Sequence, residues 1–316
     1  MTKEVCRKTA PLMGTLVTIA VVAHSADPQQ TSHREESIER AFEWFRHVEE
    51  RCTRFDSRSE LMQLTTQVGV AVPVSDLLYE TIRFALSMAE ETDGAFDPTV
   101  GHAMETRGFN REYSTAQIVH TDIQPARPVS YRDIRLDPAR KTVTLLCPLI
   151  LDLGAVAKGL AIDLAAQELR TLEDFSVDAG GDLYLGGSNA RGESWSIGIR
   201  HPRLDNQLID SIRVSDRAVC TSGDYERRIA DNPAEHHILD PRSGATAGSA
   251  ASVTVIAPSA MLADALATAA FVLGPTDGIQ LLDRLGVDGL IISPTLDRFA
   301  TQGMSSDYKL GGSAVL

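Results

Sequence analysis

The chain has little of what the common metal, redox and nucleotide motifs require. Its 316 residues include only four cysteines, at positions 6, 52, 147 and 220. They lie far apart and form no CxxC pair, so their spacing supports neither a zinc site, nor a redox motif, nor a disulfide framework. A GxGxxG fingerprint and a P-loop GK[ST] are also absent, which removes two common nucleotide-binding motifs from consideration.

Positive charge is scarce as well. Lysine and arginine together number 30 against 43 aspartates and glutamates, which gives a net charge of −13. So acidic a chain is not expected to offer a general surface for nucleic acid or for an anionic membrane. If the protein binds a phosphorylated ligand, the positive charge has to be local, from a metal ion, a lysine or backbone N–H groups.

The sequence shows neither a targeting signal nor a membrane span. Residues 1–11 are polar and carry no apolar h-region, and no apolar run reaches the length of a transmembrane segment. As written, the chain is therefore expected to be cytoplasmic; export is expected only if a leader had been removed.

The hydrophobic pattern predicts an α+β fold. Strands and helices alternate without a regular βαβ series, and Gly180-Gly181 between two short apolar runs is typical of a hairpin, which implies antiparallel pairing. We expect residues 11–316 to form one integrated domain of mixed or antiparallel sheets with flanking helices. An arrangement of that domain in two lobes is the alternative. Residues 1–10 are expected to be an N-terminal tail. Residues 23–33 are expected to be a loop, and residues 35–52 a helix.

The middle of the chain carries a glycine-containing segment, DLGAVAKG, at residues 152–159. It follows apolar, strand-like runs over residues 143–146 and 149–151 and leads into a helical pattern. Such a turn can hold a phosphate, because free backbone N–H groups and the positive end of the helix face the anion. Asp152 and Lys158 place opposite charges at its two ends. The alternative is an ordinary glycine turn with a solvated lysine.

Asp264 and Thr268 lie four residues apart on an alanine-rich helical segment, so both project from the same face. A carboxylate and a hydroxyl form an oxygen-only pair, which suits Mg²⁺ better than zinc or copper. The segment is otherwise almost wholly apolar, and no lysine or arginine is near Asp264 in sequence. A buried aspartate needs a partner, and a cation would supply one. The alternative is that the Thr268 hydroxyl bonds back to the carbonyl of Asp264.

A second polar cluster contains His236, His237, Asp240 and Arg242. Taken together with the segments described above, this cluster makes the chain resemble the FAD:protein FMN transferase family, known as the ApbE family. The resemblance covers nearly the whole chain and rests on seven blocks in the family's order: Ser59-Glu60-Leu61, Gly94 to Thr99, Asp152 to Gly159, Gly180-Gly181-Asp182, Thr221 to Tyr225, His237 to Gly244 and Ala263 to Thr268.

The resemblance implies a T-fold-like domain and a Mg²⁺-dependent enzyme. It implies transfer of FMN from FAD, the substrate, to a threonine or serine of a target flavoprotein, with a phosphoester bond formed and AMP released. It places Mg²⁺ on the backbone carbonyl of Ala155 and the side chains of Asp264 and Thr268, and places His237 and Asp240 at the reacting phosphate. It implies that FAD is faced by Met13, Phe55, Ala95, Phe96, Asp97, Asp152, Lys158 and Ile238.

The chemistry leaves alternatives open. His237 has the pKa range of a general base for the acceptor hydroxyl. Asp240 could instead be the base with His237 orienting it, or His237 could be a structural imidazole bonded to Asp240. The same site could hydrolyse FAD to FMN and AMP with water as the nucleophile. A non-catalytic flavin-binding protein is a further alternative, but it does not need the Asp264/Thr268 and His237/Asp240 pairs.

Overall fold

The computed structural model describes residues 3–25, 27–111, 117–229 and 232–307. Within these ranges the helices are α1 (Pro28–Cys52), α2 (Glu60–Thr65), α3 (Asp76–Glu91), α4 (Gly101–Thr106), α5 (Gly154–Leu169), α6 (Ala260–Arg284) and α7 (Gln302–Asp307). The strands are β1 (Glu4–Leu12), β2 (Thr15–Ala23), β3 (Val72–Pro73), β4 (Ile134–Asp137), β5 (Thr142–Leu145), β6 (Phe175–Ala179), β7 (Asp182–Gly186), β8 (Trp195–Arg200), β9 (Leu208–Val214), β10 (Arg217–Gly223), β11 (Arg228–Ile229), β12 (Asn232–His236), β13 (Ser252–Ala257), β14 (Asp288–Ile292) and β15 (Arg298–Ala300).

An eight-stranded antiparallel sheet forms the frame, in the order β1-β2-β6-β7-β10-β13-β14-β15. Strands β3, β5 and β4 form a small second sheet, and β8–β9 and β11–β12 are hairpins. The predicted α+β class with antiparallel pairing is therefore confirmed. Gly180 and Gly181 both have positive φ, 66° and 96°, and they join β6 to β7 as the predicted hairpin turn.

The two faces of the large sheet carry different cores. Helices α1, α3, α5 and α6 pack on one face in the main hydrophobic core, while the β8–β9 hairpin covers part of the other face in a smaller one. Strand β10 shows the alternation, because Ala218 and Cys220 belong to the main core and Val219 belongs to the smaller one. The sheet is thus buried on both faces where the helices and the hairpin overlap.

Two expectations for the N-terminal region need correction. Most of the expected tail over residues 1–10 is β1, an edge strand paired with β2 along its whole length. The expected loop over residues 23–33 is largely helix, because α1 begins at Pro28. Asp27 caps that helix by accepting a hydrogen bond from the Gln29 N–H at 3.0 Å, and a proline at the first helical position favours such a start.

The central segment differs in detail from its prediction. Residues 149–151 are buried but form no strand, and the segment continues into Asp152, whose N–H donates to the Pro98 carbonyl at 2.8 Å. Helix α5 begins at Gly154 rather than after the glycine segment. Lys158 therefore lies in the second turn of a helix and not at the end of a loop.

Helix α6 is long and apolar, and by length and composition alone it could cross a membrane. This corrects the expectation that no run of that length exists. Most of its apolar window is buried inside the protein, where the helix packs against α5, β10 and β13. Its helical geometry breaks at Gly274, where φ is 79°, just before Pro275.

Helices α5 and α6 approach so closely that a side chain cannot stand between them. A Cβ atom on Gly159 would lie 2.5 Å from the Met261 Cα and 2.6 Å from the Ala260 carbonyl. Asp163, one turn further along α5, accepts hydrogen bonds from the Ala260 and Met261 N–H groups at 2.7 and 2.9 Å. Asp163 thereby caps α6 from a neighbouring helix and fixes the position of both helices.

Substituting Gly159 with alanine should therefore destabilise the protein. Alanine favours a helix by about 0.5–1 kcal/mol relative to glycine, but the clash with backbone atoms forces the helices apart, and overpacking of this kind costs about 1–3 kcal/mol. We expect a net loss of about 1 kcal/mol or more in the free energy of unfolding, measured by urea denaturation.

Gly248→Ala is the matched control, since a Cβ there would meet no atom within 4 Å. If Gly159→Ala were as stable as the control, the close approach of α5 and α6 would be wrong.

Candidate active site

The centre of the site is an ion cluster where α5, α6 and β7 meet. The Lys158 ammonium donates to Asp264 Oδ2 at 2.7 Å and makes a second hydrogen bond to Asp182 Oδ2. Both aspartates are only 6% exposed. Burial raises the pKa of Asp264, and the charge of Lys158 partly offsets that rise. The partner that Asp264 lacks in the sequence is thus Lys158, brought to it from another helix.

Asp182 is a site residue to which the sequence analysis gave no role. Its Oδ1 accepts a hydrogen bond from the Thr221 N–H at 2.8 Å, so the carboxylate is held between β10 and Lys158. A polar residue directly after the Gly180-Gly181 turn was the available signal. Nothing in the sequence shows that its side chain turns inward, because that depends on the pairing of β7 with β10.

The predicted metal ligands lie beside this cluster. Asp264 and Thr268 share one face of α6, and the Thr268 hydroxyl lies 3.4 Å from the Ser222 hydroxyl. Ala155 is in the first turn of α5 and is partly buried. Among the described residues, no group of three or more His, Cys, Asp or Glu side chains could hold a metal ion. A metal bound here would therefore take few protein ligands.

These residues nevertheless fit Mg²⁺. Mg²⁺ is usually bound by one or two carboxylates together with water and substrate phosphates, rather than by a cage of protein ligands. The donor atoms present are oxygens, which Mg²⁺ prefers. Two carboxylates and one ammonium give the cluster a net charge of −1, so a further cation is electrostatically favoured there.

A second buried ion pair lies at the start of the central segment. Arg54 Nε donates to Asp152 Oδ2 at 2.6 Å, and the guanidinium also donates to the Phe109 carbonyl. Burial acts to raise the pKa of Asp152, but the charge of Arg54 and the hydrogen bond from the Gly154 N–H outweigh it and lower the pKa. Arg54 was missed from sequence because its partner lies 98 residues away.

The expected flavin-facing residues occupy different kinds of position. Phe55 lies under the Arg54 guanidinium, 4.3 Å from it to the ring centre. Met13 has φ of 50° in the turn between β1 and β2. Ala95, Phe96 and Ile238 are buried in the main core.

Asp97 stabilises the loop in which it lies. Its Oδ1 accepts hydrogen bonds from the Thr99 N–H at 2.9 Å and the Thr99 hydroxyl at 2.7 Å, and its Oδ2 accepts one from the Tyr131 N–H at 2.9 Å. The carboxylate therefore holds the shape of the loop after α3. Its burial raises its pKa, and these hydrogen bonds act in the opposite direction.

The two histidines have distinct environments. His236 is buried edge-on against Phe271, and its two ring nitrogens contact the Ala247 carbonyl and the Ile238 N–H. His237 retains some contact with solvent although protein atoms surround most of its ring, and its Nδ1 lies 3.3 Å from the Glu226 carbonyl. His236 is thus engaged on both nitrogens by backbone groups, whereas Nε2 of His237 has no hydrogen-bond partner among the described residues.

Asp240 is engaged by Arg242. Its Oδ1 accepts from the Arg242 Nε at 2.9 Å and from the Arg242 N–H at 3.0 Å. Burial acts to raise the pKa of Asp240, and these interactions lower it overall. Among the described residues, the hydrogen bonds of Asp240 and His237 go to different partners, so the His237–Asp240 bond considered from the sequence is not formed.

One guanidinium connects the separate parts of the site. Arg227 follows β10 with a positive φ of 43°. After the larger effect of burial, its charge contributes to lowering the pKa of His237, and it also favours the ionised forms of Asp152 and Asp264. The central segment, the histidine segment and α6 therefore each carry a group whose pKa responds to the charge of Arg227.

Comparison with known proteins decides the family. Residues 13–291 match the ApbE family. The chain belongs to the ApbE family. The resemblance that the sequence blocks indicated is therefore confirmed.

Several curated relatives share this family. The protein of Treponema pallidum (strain Nichols) named FAD:protein FMN transferase is 34% identical over 308 residues, covering 90% of this chain and 83% of its own length. The one of Vibrio cholerae serotype O1 with the same name is 30% identical, covering 94% and 90%. The ApbE protein of Thermotoga maritima superposes with a TM-score of 0.82 at 31% identity, covering 96% of this chain and 98% of its own.

The buried Arg54–Asp152 pair predicts a pH-dependent stability difference. Removing Arg54 leaves Asp152 without its partner, and breaking a buried pair typically costs about 3–5 kcal/mol. The folded pKa of Asp152 is lowered, so the pair contributes above the unfolded pKa, about 3.9, and its contribution is lost as pH falls through the folded value. We expect Arg54→Met to lower the free energy of unfolding at pH 7 and to approach wild type below about pH 4.

Arg58→Met is the control, because Arg58 forms an exposed pair with Asp56; this change should leave stability almost unaffected. Urea denaturation at several pH values measures both. A deficit in Arg54→Met that stayed constant from pH 7 to pH 3 would contradict the assigned pair.

Proposed function

We propose that the protein is a flavin transferase that moves FMN from FAD to a threonine or serine hydroxyl of a target flavoprotein, in a reaction that depends on Mg²⁺. Its relatives named FAD:protein FMN transferase support the reaction type. The observation that carries the proposal is the buried cluster of Lys158, Asp182 and Asp264. The charge of Arg227, which acts on both Asp264 and His237, supports placing the imidazole at the same site.

The reaction balances as a phosphoryl transfer. The acceptor hydroxyl oxygen attacks the phosphorus on the FMN side of the pyrophosphate, and the bond from that phosphorus to the bridging oxygen breaks. AMP leaves with the bridging oxygen and its electron pair. The hydroxyl proton passes to a base. A pyrophosphate needs its negative charge neutralised before a hydroxyl can attack it, which is the role proposed for the positive groups of this site.

Lys158 and the backbone at the start of α5 supply positive charge toward the pyrophosphate. The carbonyl of Ala155 and the side chains of Asp264 and Thr268 would hold Mg²⁺, which supplies further charge neutralisation when bound. We also propose that the residues expected to face FAD line its path: Met13, Phe55, Ala95, Phe96, Asp97, Asp152, Lys158 and Ile238. The buried members of this set serve as walls rather than as polar contacts.

His237 is the better candidate for the base. Burial, followed by the positive charges of Arg227 and His236, lowers the pKa of His237 to about 3, so the ring is neutral at pH 7. With Nδ1 donating to the Glu226 carbonyl, Nε2 carries the lone pair that accepts a proton. Both carboxylate oxygens of Asp240 already accept hydrogen bonds from the Arg242 guanidinium. Its carboxylate is therefore less suited to take the proton.

The reaction itself can be tested by mass spectrometry. Incubation with FAD, Mg²⁺ and an acceptor peptide that contains threonine should add the mass of a phosphoester-linked FMN. A peptide with valine in place of the threonine should remain unmodified. Asp264→Ala should form no adduct at any Mg²⁺ concentration while remaining folded, because the metal loses its only carboxylate ligand. FMN and AMP released without any adduct would instead show FAD hydrolysis.

The role of His237 gives a kinetic prediction. His237→Ala should reduce the transfer rate by about 10²–10⁴-fold, the usual contribution of a general base. The affinity for FAD should change little, since the base acts in the transition state. In wild type, kcat/KM should be flat between about pH 5 and 8, because it reports the free enzyme and the pKa of His237 lies near 3.

The outcome for Asp240 decides between the two possible bases. Asp240→Asn is the companion variant and should retain more activity than His237→Ala. If Asp240→Asn abolished transfer while His237→Ala left it nearly intact, the roles would be reversed. A limb of kcat/KM near pH 6.5 that disappears in His237→Ala would contradict the lowered pKa.

A further inference from the structure

The Lys158 ammonium already occupies the position of a cation at Asp264. Its nitrogen lies 2.7 Å from Asp264 Oδ2, and the Lys158 side chain retains only 20% of its exposure. A metal bound to Asp264 and Thr268 would place a second positive charge on the same carboxylate. Two cations so close together repel each other strongly where water is scarce.

Asp182 is a second carboxylate partner for the same ammonium. It contacts Lys158 directly, and its own orientation is fixed by the Thr221 N–H rather than by Lys158. The side chain of Asp182 is 8% exposed and that of Asp264 9% exposed. The lysine can therefore move away from Asp264 while keeping a buried carboxylate as its partner, which avoids leaving its charge uncompensated.

We propose that Lys158 is an internal counter-ion that competes with a divalent cation for Asp264, and that Asp182 is the positioning residue that retains the ammonium when the cation binds. This rests on the proposed function, because it takes Asp264 as a metal ligand. In the absence of a metal, the Lys158 ammonium hydrogen-bonds to both carboxylates. With a metal bound, Lys158 withdraws toward Asp182, where it faces the pyrophosphate of the substrate.

The competition has a consequence for metal affinity. A positive charge within about 4–6 Å of a carboxylate lowers the affinity of that carboxylate for a proton by one to three powers of ten, and a metal cation experiences the same field. Removing the ammonium should thus tighten metal binding, although it removes a residue from the site. Removing the Asp182 carboxylate should weaken metal binding, because Asp264 is then the carboxylate partner that remains for the ammonium.

The test measures binding of Mn²⁺ alone, without FAD, by the electron paramagnetic resonance signal of the free ion. Every variant is measured at the same pH, 8. Lys158→Met should bind Mn²⁺ about ten- to a thousandfold more tightly than wild type. Lys158→Arg keeps the charge and should stay close to wild type. Circular dichroism and urea denaturation establish that each variant is folded.

Asp182→Asn should bind Mn²⁺ about tenfold or more weakly. Its matched control is Asp178→Asn, which removes the same unit of charge from the preceding strand of the same hairpin, and which should have a much smaller effect. Equal weakening by both substitutions would show a general loss of negative charge and would overturn the role of Asp182.

Two results separate this inference from the proposed function. If wild type and Lys158→Met bound Mn²⁺ equally, and Asp264→Ala abolished binding, the metal site would stand and the competition would be wrong. If Asp264→Ala bound Mn²⁺ as wild type does, the metal assignment would fail and the competition with it. Tighter binding in Lys158→Met that is lost in the Lys158→Met/Asp264→Ala double variant supports the inference.

Discussion

The pairing of one lysine with two buried carboxylates is the constraint on which the site depends. Burying Asp182 and Asp264 is costly unless their charges are compensated. The single charge of Lys158 offsets only one of these two negative charges. The remaining features hold these three groups in register. Gly159 lets α5 and α6 approach within backbone contact, Asp163 caps α6 from α5, and the Thr221 N–H holds Asp182 in place. The result is a residual negative charge with oxygen donors beside it, which suits a divalent cation.

The parts of the fold that follow from local sequence were predictable. The helical period of residues 35–52, which lie within α1, and the Gly180-Gly181 turn are local signals, and the structure has both where they were expected. The four-residue spacing of Asp264 and Thr268 likewise places both on one face of α6 without reference to the rest of the chain. The pairing of β1 with β2 was missed, because the polar N-terminal residues form an edge strand, where alternating polar residues face solvent.

The ion pairs of the site could not be predicted, because they join distant segments. Lys158 and Asp264 are 106 residues apart, and Arg54 and Asp152 are 98 apart. Sequence reasoning therefore left Asp264 without a partner and inferred a cation from that lack. The structure supplies a lysine instead. One ammonium neutralises only one of the two carboxylates, so a metal ion would balance the negative charge that remains. The distinction between His236 and His237 likewise depends on tertiary contacts, since only the fold shows which ring is enclosed by backbone groups.

The most direct test of the account is a crystal structure of the protein with FAD and Mn²⁺, with the metal located by its anomalous scattering. The account predicts an anomalous peak in contact with Asp264 and Thr268, the pyrophosphate next to the start of α5, and Lys158 moved from Asp264 toward Asp182 and the phosphates. The same map should place the FMN-side phosphorus near the His237 ring, with space between them for an acceptor hydroxyl. A peak away from α6, or a pyrophosphate bound outside the space between α5 and His237, would contradict it.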